Sequence, residues 1–176
     1  MNSELPNREQ SVGLLHKYKC SPQVINHCIA VADLAVETAG KLEGKGYKIN
    51  TKLVEAGALL HDLGRSKTHT VDHAIAGAQI AQSIGLPETV IRIIKRHVGA
   101  GITTDEAQML GWPKDVYAPQ TLEEKIVSFS DKLIDKSRRM PIETEIERLQ
   151  TKNKHLAAER VRKLNDEITS LLGEAK

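Results

Sequence analysis

Four histidines and two aspartates of this chain stand where the surrounding apolar spacing calls for core residues. His27 lies between Val24 and Val31 on one stripe, and His97 follows Ile93 and Ile94. Asp131 lies between Val127 and Ile134, His73 precedes Gly77 and Ile80, and His61 and Asp62 are adjacent. Imidazole and carboxylate are costly to bury without a partner. A fold that turns all of them inward needs a shared partner, and the simplest is a metal ion. One histidine on an apolar face is usually a core residue bonded to a backbone carbonyl. Six such groups on five segments of one small domain are poorly explained as independent accidents. His16, His69 and His155 lie in polar surroundings and carry no such signal.

The pattern around these residues is helical throughout, which predicts an all-α fold. Ser21-Pro22 is a start signal, and Val24, His27, Val31 and Leu34 recur on one helix face up to Gly40, Gly44 and Gly46. Further helices are expected from Asn50 to Asp62, stopping at Gly64, from Val71 to Ile84, stopping at Gly85, and from Pro87 to Val98 before Gly99-Ala100-Gly101. A short one opens at Thr104-Asp105-Glu106 and closes at Gly111-Trp112-Pro113; another runs from Thr121 to about Arg138. Beyond Met140-Pro141, the stripes Ile142, Ile146, Leu149 and Val161, Leu164, Ile168, Leu171 predict two amphipathic helices, joined by a turn at Lys152-Asn153-Lys154. They are expected to pack on the core, with a homodimer contact as the alternative. No strand alternation or internal repeat stands out.

A chain of 176 residues fits one core. The division expected is an N-terminal segment, 1–20, a helical core, 21–138, and C-terminal amphipathic helices, 139–176. Aromatics are only 3% and the net charge is +2, so neither stacking platforms nor a basic surface argue for nucleic acid as partner. Met1 to Gln10 has no apolar signal core, and no stretch approaches the ~20 apolar residues of a membrane span. Cys20 and Cys28 are too few for a disulfide scaffold, so a reducing cytoplasm is the expected setting.

The adjacent pair is the most informative element. Neighbours on a helix point about 100° apart, given ~3.6 residues per turn, so His61 and Asp62 can approach one ion only in a crevice between helices. Ala56, Gly57 and Ala58 permit such close packing. A carboxylate can bridge two ions, a role that suits Asp62.

The order His27, His61-Asp62, Asp131 resembles the HD superfamily of metal-dependent phosphohydrolases, whose core motif is His…His-Asp…Asp. The segment AGALLHDLGR, 56–65, resembles the second motif, and KIVSFSDKLID, 125–135, resembles the last, with Ser130 where alanine is more usual. DHAIAGAQIA, 72–81, and IIKRHVGAG, 93–101, match two further motifs of the dinuclear branches. The resemblance covers Ser21 to Asp135 and implies a single HD-domain helical bundle with extra C-terminal helices. Within the superfamily the six-ligand pattern is most similar to the bacterial diadenosine tetraphosphate hydrolases. The cyclic-dinucleotide phosphodiesterases usually carry paired histidines where this chain has His97-Val98, and the mononuclear nucleoside-monophosphate phosphatases do not need His73 or His97.

The resemblance implies hydrolysis of a phosphate ester or anhydride of a small nucleotide-type substrate by a metal-bound hydroxide. Two divalent ions (Fe, Mn, Co, Ni or Zn) would lie about 3.5–4 Å apart and share Asp62. His27, His61 and Asp131 would complete one shell, and His73 and His97 the other. Arg65 is the first candidate to bind phosphate, then Lys132, then Lys95 or Arg96. The Gly99-Ala100-Gly101 loop could lend backbone amides to phosphate, although a simple helix exit is the plainer reading. Asp135 reads equally as support for Asp131 or as surface. The alternatives are a mononuclear HD nucleoside-monophosphate phosphatase and a non-catalytic metal- or nucleotide-binding module.

Overall fold

Capping chemistry starts most of the helices. In the computed structural model, which describes residues 4–174, α1 (Arg8–Lys17) opens at Asn7. The Asn7 side chain accepts the Gln10 N–H while Gln10 accepts the Asn7 N–H. This helix falls in the N-terminal segment, for which the sequence pattern predicts no element; its signal is the Asn7-to-Gln10 spacing, and it buries Ser11 and Leu15. Ser21 Oγ accepts the Val24 N–H to open α2 (Pro22–Glu43), and the Asn50 side chain opens α3 (Thr51–Leu60). A 3₁₀ turn, Leu63–Ser66, leads towards α4 (His73–Ser83), and α5 (Glu88–Arg96) follows Pro87. Thr103 with Glu106, and Thr121 with Glu124, form capping boxes for α6 (Thr104–Met109) and α7 (Leu122–Lys132).

Two expected helices end early. The one predicted to reach Asp62 stops at Leu60, and the one predicted to reach Arg138 stops at Lys132. After α7 the chain makes an antiparallel hairpin of β1 (Ile134–Asp135) and β2 (Arg138–Arg139), with Ile134 opposite Arg139. Two-residue strands leave no alternation for a sequence pattern to register. The chain then enters α8 (Ile142–Thr151) and α9 (His155–Leu172).

α2 packs on α3 and α7, α3 also on α5, and α4 on α5. Val31, Leu59, Leu60, Ile93, Ile94 and Ile126 meet in the main core. α9 lies against α7 and α8, and Leu164, Ile168 and Leu172 carry its stripe into that core. Ile142 and Ile146 of α8 close over Ala158 and Val161 of α9. A third cluster, Ala74, Ala107, Trp112 and Tyr117, fastens α6 and the following loop beside α4. Among the described residues no helix is long and apolar enough to cross a membrane, and Cys20 and Cys28 are buried free thiols.

Candidate metal centre

Five elements deliver six side chains to one place. His27 comes from the second turn of α2, His61 and Asp62 from the exit of α3, and His73 from the first position of α4. His97 follows the last residue of α5, and Asp131 sits in the last turn of α7. The adjacent pair does not share a helix: His61 keeps helical dihedrals, whereas Asp62 lies beyond the helix end at φ −99°, ψ 15°. That break, rather than the ~100° helical step, lets both side chains face the same crevice.

Close backbone approach holds the crevice shut on one side. A Cβ on Gly64 would lie 1.9 Å from the His73 carbonyl oxygen and 2.5 Å from the Gly77 nitrogen, so only glycine lets the 3₁₀ turn touch α4. The start of α4 is tied down further by Asp72, which accepts a 2.7 Å hydrogen bond from Trp112 Nε1.

Each of the four imidazoles is oriented by a backbone carbonyl. The Nδ1 atoms of His27, His61, His73 and His97 lie 2.9, 2.7, 2.7 and 2.7 Å from the carbonyl oxygens of Lys136, Ala58, Thr70 and Ile94. A carbonyl can only accept, so each Nδ1 carries a proton, and each Nε2 is the atom left to present a lone pair when the ring is neutral. His73 Nε2 and His97 Nε2 then face each other at 3.0 Å. His27 Nε2 lies 3.0 Å from Asp131 Oδ1, and His61 Nε2 lies 3.4 Å from the same oxygen. Asp62 Oδ1 is 3.1 Å from His73 Nε2 and 3.6 Å from His97 Nε2, while its Oδ2 is 3.8 Å from His61 Nε2. His61 Nε2 is buried without a hydrogen-bond partner.

Lone pairs and carboxylate oxygens converging at these distances repel unless positive charge lies among them. Protons or metal cations satisfy that requirement, and the donor set of neutral imidazoles with carboxylates suits a divalent transition metal. Two donor groupings fit an ion: His27 with His61 and Asp131, and His61 with Asp62 and His97.

Electrostatics agree with that charge demand. Burial opposes ionisation of Asp62, yet His61, His73 and His97 hold its carboxyl well below the usual range. Burial likewise opposes ionisation of Asp131, which Lys132, His27 and His61 hold well below it. Burial lowers His97 to about 4, with Asp62 only partly restoring it, so its imidazole is neutral at physiological pH. Burial also opposes charge on His61, but the carboxylates around it and the Cys28 thiol raise its pKa well above the ordinary value.

Five of the six residues line a cleft of about 450 Å³, and His61 lies fully buried beside them. Arg65 borders it, donating from Nε to Asp62 Oδ1 at 3.2 Å and from Nη1 to the His69 carbonyl at 2.8 Å. Lys132 Nζ lies 2.5 Å from Asp131 Oδ2. Two other cations singled out in the sequence turn away. Lys95 pairs with Asp115, and Arg96 clamps Glu124 through Nη1 at 2.9 and 3.0 Å. Asp135 lies on the cleft wall 3.5 Å from Arg148. Sequence reasoning misses Lys136, whose carbonyl orients His27, and Glu145 and Arg148 of α8, which line the cleft. No spacing links them to the histidines; they arrive through the hairpin and the fold-back of α8.

The family model of the HD domain matches residues 24–134. This chain belongs to the HD-domain family. HD domains bind divalent metals, and the two donor groupings are where this one has the ligands to do so. An uncharacterized protein of Methanocaldococcus jannaschii is 43% identical over 166 residues, 93% of this chain and 98% of the relative. The tRNA (cytidine(56)-2'-O)-methyltransferase of Picrophilus torridus is 39% identical over 169 residues, 96% of this chain. The chain spans about half of that enzyme, 48% of its length. Among solved structures, the HD domain of the L. monocytogenes phosphodiesterase PgpH in complex with cyclic-di-AMP superposes with a TM-score of 0.57. Identity there is 21%, over 92% of this chain and 96% of that one, a likeness of fold.

Proposed function

We propose that this chain is a metal-dependent phosphohydrolase that cleaves a phosphate ester or anhydride of a nucleotide-type substrate. The observation that carries the reading is the convergence of four carbonyl-anchored imidazoles and two ionised carboxylates, all but His61 lining a cleft bordered by cations. His27, His61 and Asp131 would hold one divalent ion and His73 and His97 a second, with Asp62 between them. Its two oxygens face different histidines, which favours the dinuclear reading over a mononuclear one. When bound, such ions activate water near neutral pH and offset charge on phosphoryl oxygens.

The remaining work falls to the chain's own residues. The four carbonyl-anchored imidazoles keep their ring orientations, so an entering cation takes the place of any proton on Nε2 without turning a ring. Arg65 steadies Asp62 and presents the rest of its guanidinium fork to a phosphate in the cleft. Lys132 neutralises Asp131 and lines the same wall, placing positive charge where a phosphoryl group would lie. In the finer reading, diadenosine tetraphosphate is the first substrate to assay, beside cyclic-di-AMP and nucleoside monophosphates.

Replacing Asp62 with Ala is expected to lower turnover by about 10³-fold or more and to empty both sites on metal analysis. Turnover at the wild-type rate would sink the proposal. The double replacement of His73 and His97 with Ala is expected to halve the metal content; unchanged metal would assign those histidines a structural role.

A further inference from the structure

The cleft above the metal centre does not end at the HD core. It runs into a second pocket of about 670 Å³ between the α5–α6 connection and the α8–α9 turn, and Val98, Lys132, Glu145 and Arg148 border both. The HD match stops at residue 134, so most of the outer wall of this pocket comes from the C-terminal hairpin.

Among the described residues, five large apolar side chains are exposed, and three of them, Met109 at 80%, Leu156 at 66% and Leu110 at 41%, line this one pocket. Such clustering marks a binding surface rather than scattered surface residues. Arg148, Lys152, Lys154 and Arg160 ring the apolar wall and outnumber its two carboxylates, Glu145 and Glu106, which pair with Arg148 and Arg160. A purely apolar occupant would not need the cations, and a bare phosphate chain would not need Met109 and Leu156. A flat heterocycle carried on phosphate uses both.

Resting on the phosphohydrolase reading, we propose that the second pocket binds the nucleoside on the far side of the scissile phosphate. The substrate then carries a nucleoside at each end, and the α8–α9 hairpin is the element that selects it. Lys132 and Arg148, at the junction of the two pockets, would share their charge between Asp131, Asp135 and Glu145 and the phosphates that join the nucleosides.

Two methionines provide the test. Met140 lines the metal cleft and Met109 lines the second pocket. In protein loaded with a diamagnetic divalent ion and labelled with ¹³C at the methionine methyls, AMP is expected to shift the Met140 signal alone. A methylene-bridged, non-hydrolysable diadenosine tetraphosphate analogue is expected to shift Met140 and Met109 together. Replacement of the exposed Leu156 with Glu is expected to weaken the analogue about tenfold more than it weakens AMP. A shift of Met140 alone with the analogue, or equal weakening of both ligands, overturns the second subsite and leaves the hydrolase reading standing. If neither ligand moves Met140, the nucleotide reading of the metal cleft fails first.

Discussion

Substitution of Gly64 by Ala is the sharpest probe of how backbone contact positions the candidate metal ligands. The new Cβ would sit 1.9 Å from the His73 carbonyl oxygen, 2.5 Å from Gly77 N and 2.8 Å from the His73 carbonyl carbon. Reaching an ordinary contact of 3.4 Å requires about 1.5 Å of movement, and every obstructing atom is backbone. The start of α4 must therefore move, and His73 moves with it. Overpacking of this kind costs about 3 kcal/mol or more, which for a chain of this size lowers Tm by roughly 6–12 °C. Two other glycines calibrate the effect. The three atoms nearest a Cβ on Gly57 all belong to the Ile93 side chain, the closest at 2.4 Å, and the substitution gains helix propensity, so its net cost should be smaller. A Cβ on Gly40 meets nothing within 4 Å on an exposed face of α2, so Gly40→Ala should stabilise by up to ~1 kcal/mol. The assay is thermal unfolding with metal content per chain. Gly64→Ala should lose stability and one ion's worth of metal, while Gly57→Ala keeps its metal. Wild-type Tm and full metal in Gly64→Ala would refute the argument that this contact sets the position of His73.

Three further outcomes are expected. Glu124→Ala strands the Arg96 charge, whose side chain is 11% exposed, so it should cost about 3–5 kcal/mol in urea unfolding; a loss below ~1 kcal/mol would show the pair is solvated. The Cys20 thiol, pushed up to about 11 chiefly by burial, and the fully buried Cys28, raised by the same cause, should resist a thiol-specific disulfide reagent at pH 8 until the protein unfolds. Burial would raise Glu106, but its bonds to Thr103 N–H and Arg160 outweigh that and lower its pKa below 4.5. Its contribution is then complete above pH 4.5 and lost as pH falls through the lower folded value. Being partly exposed, the group contributes under ~1 kcal/mol, so Glu106→Gln should flatten the acid limb of the Tm–pH curve slightly, and an unchanged limb would count against the Arg160 contact.

Helical periodicity and caps are local properties, which is why the helix starts at Ser21, Asn50 and Thr121 and the stripe of α9 are legible in the residues alone. The candidate ligands are legible for a related reason: a histidine or aspartate in an apolar stripe violates the local pattern, and a violation repeated on several segments needs one shared cause. The missed elements lack that kind of signal. α1 has a weak stripe, the β hairpin is too short to show a period, and α3 ends at Leu60 with no glycine or proline at the break, the next along the chain being Gly64.

By itself, then, the sequence determined where most of the helices lie and which polar groups must find a partner inside, because both follow from spacing along one chain. Tertiary structure alone decided which cations face the candidate centre. Arg65 and Lys132 line it while Lys95 and Arg96 are drawn into ion pairs with Asp115 and Glu124, and Glu145 and Arg148 enter from a helix outside the HD match. Long charged side chains reach in several directions at similar local cost, so their destinations depend on the charges that distant segments bring alongside them.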